Sequence, residues 1–73
     1  MITISTRKRN LMNAYVGKTY KFYVCGEIWH TTIKGIMSDG YFLTEINDGR
    51  RVCQSNASYS EIRIGLKKGY YAE

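Results

Sequence analysis

The side chains best suited to catalysis or metal binding are the single histidine, His30, and the two cysteines, Cys25 and Cys53. A nucleophile needs a base within hydrogen-bonding reach, but in the hairpin predicted below Cys25 lies about two cross-strand rungs from His30. Structural zinc usually has four ligands in closely spaced pairs, and these three residues offer neither a fourth ligand nor a CxxC pair. We therefore predict that the protein is not an enzyme, with no metal, no cofactor and free thiols.

Basic residues and tyrosines suit the binding of nucleic acid. The net charge is +5 and the chain has seven tyrosines, and aromatic side chains beside a cationic groove bind single strands. Six acidic residues are interspersed with the basic ones, and adjacent arginines in a strand point to opposite faces. The alternative prediction of a nucleic-acid-binding regulator depends on three basic clusters: Arg7, Lys8 and Arg9; Arg50 and Arg51; Lys67 and Lys68.

A β-hairpin over residues 18–34, KTYKFYVCGEIWHTTIK, must position most of these candidates. Its two halves are rich in β-branched and aromatic residues, which favour strands, and Gly26-Glu27 suits a two-residue type II′ turn. We expect one apolar face to be buried, with Trp29 in the core. The cross-strand pairs predicted on that face are Tyr20 with Ile33, Phe22 with Thr31, and Val24 with Trp29.

The opposite face of the hairpin carries a candidate protein-binding strip, formed by Lys21, Tyr23, Ile28 and His30. Aromatic residues dominate interface hot spots, and residues opposite the apolar set can be truncated without opening a cavity in the core. The first prediction is therefore binding to another protein. Because small open sheets have edges that can add a strand, homo-oligomers through the sheet edges are a further prediction.

One helix is predicted before the hairpin. Ser5 or Thr6 can cap a helix over residues 7–15, and Gly17 suits the end of that helix. The three cations at residues 7–9 are disfavoured at a helix N-terminus. The helix is therefore expected to be short or to start after Arg9.

Five strands complete the predicted architecture. Gly35 is expected to form a bulge that lets the second strand continue, and Gly40 and Gly49 end turns of the same kind. For the second of these turns, a three-residue turn would pair Glu45 with Arg51, and a two-residue turn would pair Ile46 with Arg51. We prefer the three-residue turn because it pairs opposite charges across the strands. The predicted fold is mainly β, a short N-terminal helix followed by a five-stranded antiparallel meander that forms a small bent sheet or an SH3/Sm-like barrel. The predicted strands are 18–25, 28–37, 41–46, 50–54 and 59–64.

Length and composition set the remaining expectations. Seventy-three residues allow one domain with a small core, here residues 1–73, with 1–6 and 66–73 as flexible arms. The first residues do not resemble a signal peptide, and no apolar run approaches the length of a membrane span. We therefore expect a cytoplasmic protein.

Two resemblances add to these expectations. The order of elements, with Ile62-Arg63-Ile64-Gly65, resembles Sm-like and SH3-like barrels, although the 38–41 segment lacks the asparagine that follows the aspartate in the Sm pattern. Residues 15–20, 38–40 and 48–51, which read YVGKTY, SDG and DGRR, resemble small accessory proteins encoded by phages and prophages. The second resemblance implies stoichiometric inhibition or modulation of a host protein.

Overall fold

The computed structural model describes residues 5–73 and contains two helices and a four-stranded antiparallel sheet. The strands are ordered β1-β2-β3-β4 across the sheet, so β1 and β4 form its edges. This architecture confirms a mainly β fold with an N-terminal helix. The elements are α1 (Thr6–Asn13), β1 (Thr19–Val24), β2 (Glu27–Ile36), β3 (Phe42–Asn47), β4 (Val52–Ala57) and α2 (Tyr59–Lys68).

The β1–β2 hairpin has the predicted faces but a different register. Phe22 pairs with Trp29 and Val24 with Glu27, because the turn is at Cys25-Gly26, both with positive φ (50° and 81°), and not at Gly26-Glu27. Moving a two-residue turn by one position shifts every pair by two residues and leaves the same side chains on each face. The predicted pairs were therefore wrong, and the predicted faces were right.

The core lies between the inner face of the sheet and the two helices. Its fully buried side chains come from both helices and three of the strands, and they include Tyr20 and Ile33 from the predicted apolar face. Trp29 was expected in this core but is only half-buried, and its indole N–H donates to Glu27 Oε2 at 3.2 Å. Its ring packs edge-on against Phe22, with centroids 6.1 Å apart, and does not belong to the core cluster. The core cluster is Met12, Tyr20, Ile33, Phe42, Ala57 and Ile62.

The predicted fifth strand at 59–64 is part of helix α2, so the sheet remains open and the five-stranded barrel does not form. Ser58 caps the helix by accepting from the Glu61 N–H at 3.0 Å, and Gly69 ends it in the left-handed conformation. Ile62 is buried whereas Ile64 is exposed. This is the periodicity of a one-sided helix, and the local caps favour it over a strand.

Helix α1 begins at Thr6 with Ser5 as its N-cap, so it starts before Arg9. It ends at Asn13, two residues earlier than predicted. The predicted bulge in β2 is present, because the β2–β3 register shifts between Ile33 and Gly35.

The β3–β4 connection differs from both predicted turns. Thr44 pairs with Ser55 and Asn47 with Val52, which leaves residues 48–51 as the loop. Asp48 Oδ1 accepts from the backbone N–H groups of Arg50 and Arg51 at 2.9 and 3.0 Å. These hydrogen bonds stabilise a longer loop, so the expected pairing of Glu45 with Arg51 is not made.

Two segments, 1–6 and 66–73, were predicted to be flexible arms. Residues 1–4 of the first arm lie outside the described residues, and Ser5 and Thr6 belong to the start of α1. In the second arm, Leu66 to Lys68 form the last turn of α2, and Tyr71 packs against the core cluster. Within residues 5–73, neither helix is long and apolar enough to cross a membrane.

Candidate functional site

The outer face of the sheet, opposite the helices, carries the predicted strip. Lys21 pairs with His30, and Tyr23 pairs with Ile28, across the β1–β2 hairpin. All four residues are exposed, with 78% of Tyr23 and 48% of Ile28 accessible to solvent. The strand backbone therefore holds an aromatic and an aliphatic side chain next to each other on the solvent side.

The chain after α2 turns back onto this edge of the sheet. Gly69 has a φ of 81°, and its N–H donates to the carbonyls of Gly65 and Leu66. The next two N–H groups, of Tyr70 and Tyr71, both donate to Gly65 O, at 2.8 and 3.1 Å. This tight turn sends the chain toward β1, where Lys21 N–H donates to Ala72 O at 2.6 Å and Ala72 N–H returns a bond of 2.9 Å.

Tyr71 anchors the returning segment on the inner side. Its ring packs edge-on against Phe22, with centroids 5.6 Å apart, and lies 6.5 Å from Tyr20. It also covers Gly65, where a Cβ atom would overlap the Tyr71 ring. Desolvation by burial raises the pKa of Tyr71, with a further contribution from Glu61.

With Tyr71 turned inward, Tyr70 remains outside and is 65% exposed. It lies beside the candidate protein-binding strip. Together with three of the four residues of that strip, it lines a cleft of about 190 Å³. A neighbouring cleft of about 290 Å³ shares Tyr23 and Tyr70 and continues to Phe22 and Tyr71. The residues around the smaller cleft are Lys21, Tyr23, Ile28, Gly69, Tyr70 and Ala72.

The structure does not bring the three predicted basic clusters together. Arg50 and Arg51 lie in the loop that leads into the edge strand β4. Lys67 and Lys68 end α2, whose following residues pair with β1 at the other edge. The third cluster, residues 7–9, lies in the first turn of α1. A single continuous groove through all three clusters is therefore not formed.

A different basic surface lies on α2. Arg63 and Lys67 are one helical turn apart and line a shallow depression with Ser60 and Ile64. The Arg63 guanidinium is also 5.5 Å from the centroid of the Tyr59 ring. Arg63 was not among the predicted basic residues, because its alignment with Lys67 exists only if this segment is a helix.

The residues considered for catalysis and metal binding are also separated. Cys25 lies in the hairpin turn, His30 on the outer face, and Cys53 on the inner face opposite Ile46. Both cysteines are free and exposed. Among the residues that the structure describes, no group of three or more His, Cys, Asp or Glu side chains is arranged to hold a metal ion.

Sequence reasoning missed the contribution of the C-terminal segment to the cleft. Tyr70 lies in the segment 66–73, which was expected to be a flexible arm. The spacing Ser58-x-x-Glu61 is a capping-box signature, and Gly69 is suitably placed to end a helix. These two signals together would have indicated α2 and a sharp turn before Tyr70.

Comparisons with known proteins found no match to this chain among protein family models, curated protein sequences or solved structures.

Proposed function

We propose that this chain is a small non-enzymatic binding protein that contacts a protein partner through the cleft between Tyr23 and Tyr70. The proposal depends on one observation, that two largely exposed tyrosines flank one cleft. Tyr23 lies on a hydrogen-bonded strand, and Tyr70 lies on the docked C-terminal segment. Tyrosine gives a large contact area for little loss of side-chain entropy. Because both tyrosines are held on ordered backbone, less conformational freedom is lost when a partner binds.

The chemistry of the cleft favours an apolar anchor next to an acidic group on the partner. Ile28 and the two tyrosine rings provide apolar area, and Lys21 provides a positive charge at the same cleft. The net charge of +5 would steer an acidic protein surface toward the chain. His30, paired with Lys21 but outside the cleft, is proposed as a peripheral contact.

With the resemblance to phage and prophage accessory proteins, we propose that the partner is a host protein in the cytoplasm. The chain would inhibit or modulate this partner by stoichiometric binding. This mode of action needs no catalytic residues, which agrees with the separation of His30 from Cys53 on opposite faces of the sheet.

The test compares three tyrosine variants. Tyr23→Ala and Tyr70→Ala each remove one side of the cleft, and Tyr41→Ala is the matched control because Tyr41 is also exposed (43%) but lies outside the cleft, just before β3. The tagged wild-type chain captures its partner from a nuclease-treated bacterial lysate, and the purified partner is then titrated with each variant.

We expect Tyr23→Ala and Tyr70→Ala to weaken binding by about thirtyfold, as truncation of an aromatic hot spot costs about 2 kcal/mol. His30→Ala should have a smaller effect, and Tyr41→Ala should bind as the wild type does. Equal losses in all three tyrosine variants, or no loss in the two cleft variants, would contradict the proposal.

A second candidate function is nucleic-acid binding, favoured by the pair Arg63 and Lys67 on one face of α2. Phosphate contacts make affinity fall steeply with salt, with a slope that flattens as each contact is removed. In that case nuclease would abolish capture, and substitution of Arg63 and Lys67 by glutamine would flatten the salt dependence. The Tyr23→Ala variant would then be affected less than these two.

A further inference from the structure

The two edge strands of the sheet, β1 and β4, differ in the hydrogen bonding of their outer backbone groups. At β1, Ala72 forms a bridge with Lys21. It pairs with the backbone N–H and C=O groups of Lys21, on the side of β1 that faces away from β2. At β4, no described residue between 5 and 73 pairs with the side of the strand that faces away from β3. An edge strand presents alternate N–H and C=O groups that can pair with another strand.

Strand β4 also lacks the features that usually protect such an edge. Its sequence is VCQSNA, with no charged residue, no proline and no glycine, and every side chain from Val52 to Asn56 is exposed. It pairs with β3 over six positions without a register shift. Natural edges are commonly blocked by lysine, proline or a bulge, so nothing within residues 5–73 blocks strand addition at β4.

We propose that β4 pairs in antiparallel orientation with β4 of a second copy of this chain, which forms a continuous eight-stranded sheet. The charges beside the strand favour this orientation, because Arg50 and Arg51 lie only at its N-terminal end. Antiparallel pairing separates the two arginine pairs by about 20 Å at roughly 3.3 Å per residue. That distance exceeds the Debye length of about 8 Å at physiological salt, whereas a parallel pairing would place like charges side by side.

The side chains of β4 are compatible with a two-fold axis. In an antiparallel pair of identical strands, the residue on the two-fold axis lies opposite its own copy, on the same face of the sheet. Near the middle of β4 this residue is Gln54 or Ser55. An amide or hydroxyl group both donates and accepts hydrogen bonds, so identical copies of either residue can pair. An acidic foreign peptide, the natural electrostatic partner of a basic chain, would find no cation between residues 52 and 57.

This inference goes beyond the proposed function and does not depend on it, because the cleft is at the β1 edge and the pairing is at β4. The first measurement is sedimentation equilibrium of the intact chain over a range of concentrations. We expect the mass to rise from 8.5 kDa toward twice that value. Gln54→Lys opposes two like charges near the axis and should lower the association constant by up to about fivefold.

Asn13→Lys is the matched control, since it adds the same charge at an exposed position at the end of α1, and it should dimerise as the wild type does. Circular dichroism confirms that each variant is folded. A second measurement uses a chain with Cys25→Ser and Cys53→Ser. In this background, Gln54→Cys or Ser55→Cys should give a covalent dimer on mild oxidation, and Asn13→Cys should not.

Three results would overturn the proposal. The first is a chain that remains monomeric across the whole concentration range. The second is a dimer that Gln54→Lys does not weaken, because association would then use another surface. The third is a dimer that forms only after residues 1–4 are deleted, because the N-terminus of the same chain would then be the partner of β4.

Discussion

Replacement of Gly65 by alanine tests the packing on which the cleft depends. Gly65 lies inside α2, where alanine normally stabilises a helix by about 0.8–1.0 kcal/mol relative to glycine. In this helix an added Cβ would overlap the Tyr71 ring. The two effects have opposite signs, so the measured sign shows whether Tyr71 is docked on Gly65.

The size of the effect follows from what Tyr71 would lose. The added Cβ would meet the Tyr71 side chain and not backbone, so the ring can move away, and the penalty is the loss of its contacts and not a rigid collision. Its aromatic pairs with Phe22 and Tyr20 are worth about 0.5–1.5 kcal/mol each beyond the area that they bury. With the lost burial and the gain in helix propensity included, we expect Gly65→Ala to destabilise the fold by about 1–2 kcal/mol.

Urea unfolding followed by circular dichroism measures this change, and thermal unfolding should show a decrease of several degrees, at about 4–8 °C per kcal/mol. The decisive comparison uses Tyr71→Ala as a second background. There the overlap is gone, so Gly65→Ala should be neutral or stabilising. A Gly65→Ala variant that is more stable than the wild type, or that loses the same stability in both backgrounds, would refute the reasoning.

Two further predictions concern the start of α2 and the β3–β4 loop. Ser58→Ala should destabilise the fold by about 1 kcal/mol, because Ser58 Oγ accepts from the Glu61 N–H. Urea unfolding should show little loss of stability for the control Ser60→Ala. An equal loss in both variants would contradict the capping role. Hydrogen bonds from the backbone N–H groups of Arg51 and Arg50 lower the pKa of Asp48. This stabilisation is fully present above the ordinary aspartate pKa of about 4 and is lost as the pH falls through the lower folded pKa. Urea midpoints between about pH 2 and about pH 6 should depend less on pH in Asp48→Asn, and an unchanged dependence would exclude this role.

The sequence predicted which side chains of the hairpin share a face, and it did not predict which residues pair. The alternation of apolar and polar residues depends only on the strand period of two. It is therefore satisfied equally by turns at Gly26-Glu27 and at Cys25-Gly26. The choice depends on Cys25 adopting a positive φ, which is uncommon for a residue other than glycine, asparagine or aspartate.

The C-terminal third was mispredicted because a short apolar alternation outweighed the helix caps. The alternation of Ile62 and Ile64 with Arg63 is typical of a strand with two inward side chains, yet only Ile62 is buried. The Ser58 cap and the left-handed Gly69 act on the backbone at the two ends of the segment. For a segment of this length, the end signals were more informative than the pattern between them.

The same reasoning explains why half of the candidate cleft was predictable. Lys21, Tyr23 and Ile28 lie on regular strands, so local periodicity was sufficient to place them on the exposed face. Tyr70 reaches the cleft because Tyr71 packs on Gly65 and Ala72 pairs with Lys21, and no local pattern contains these contacts. A residue positioned by a tertiary contact near a chain end cannot be placed from periodicity alone.

This dependence of Tyr70 on Tyr71 has a consequence for binding. A partner that contacts a docked Tyr70 meets a side chain whose backbone is already ordered, and such preorganisation reduces the entropy lost on association. Loss of the Tyr71 contact would release the segment at its turn and at the Ala72 bridge, so binding should weaken even in molecules that remain folded. Loss of Tyr23 removes contact area from a strand that stays paired. The two sides of the cleft therefore contribute by different means, Tyr23 through its fixed position in the sheet and Tyr70 through the packing beneath it.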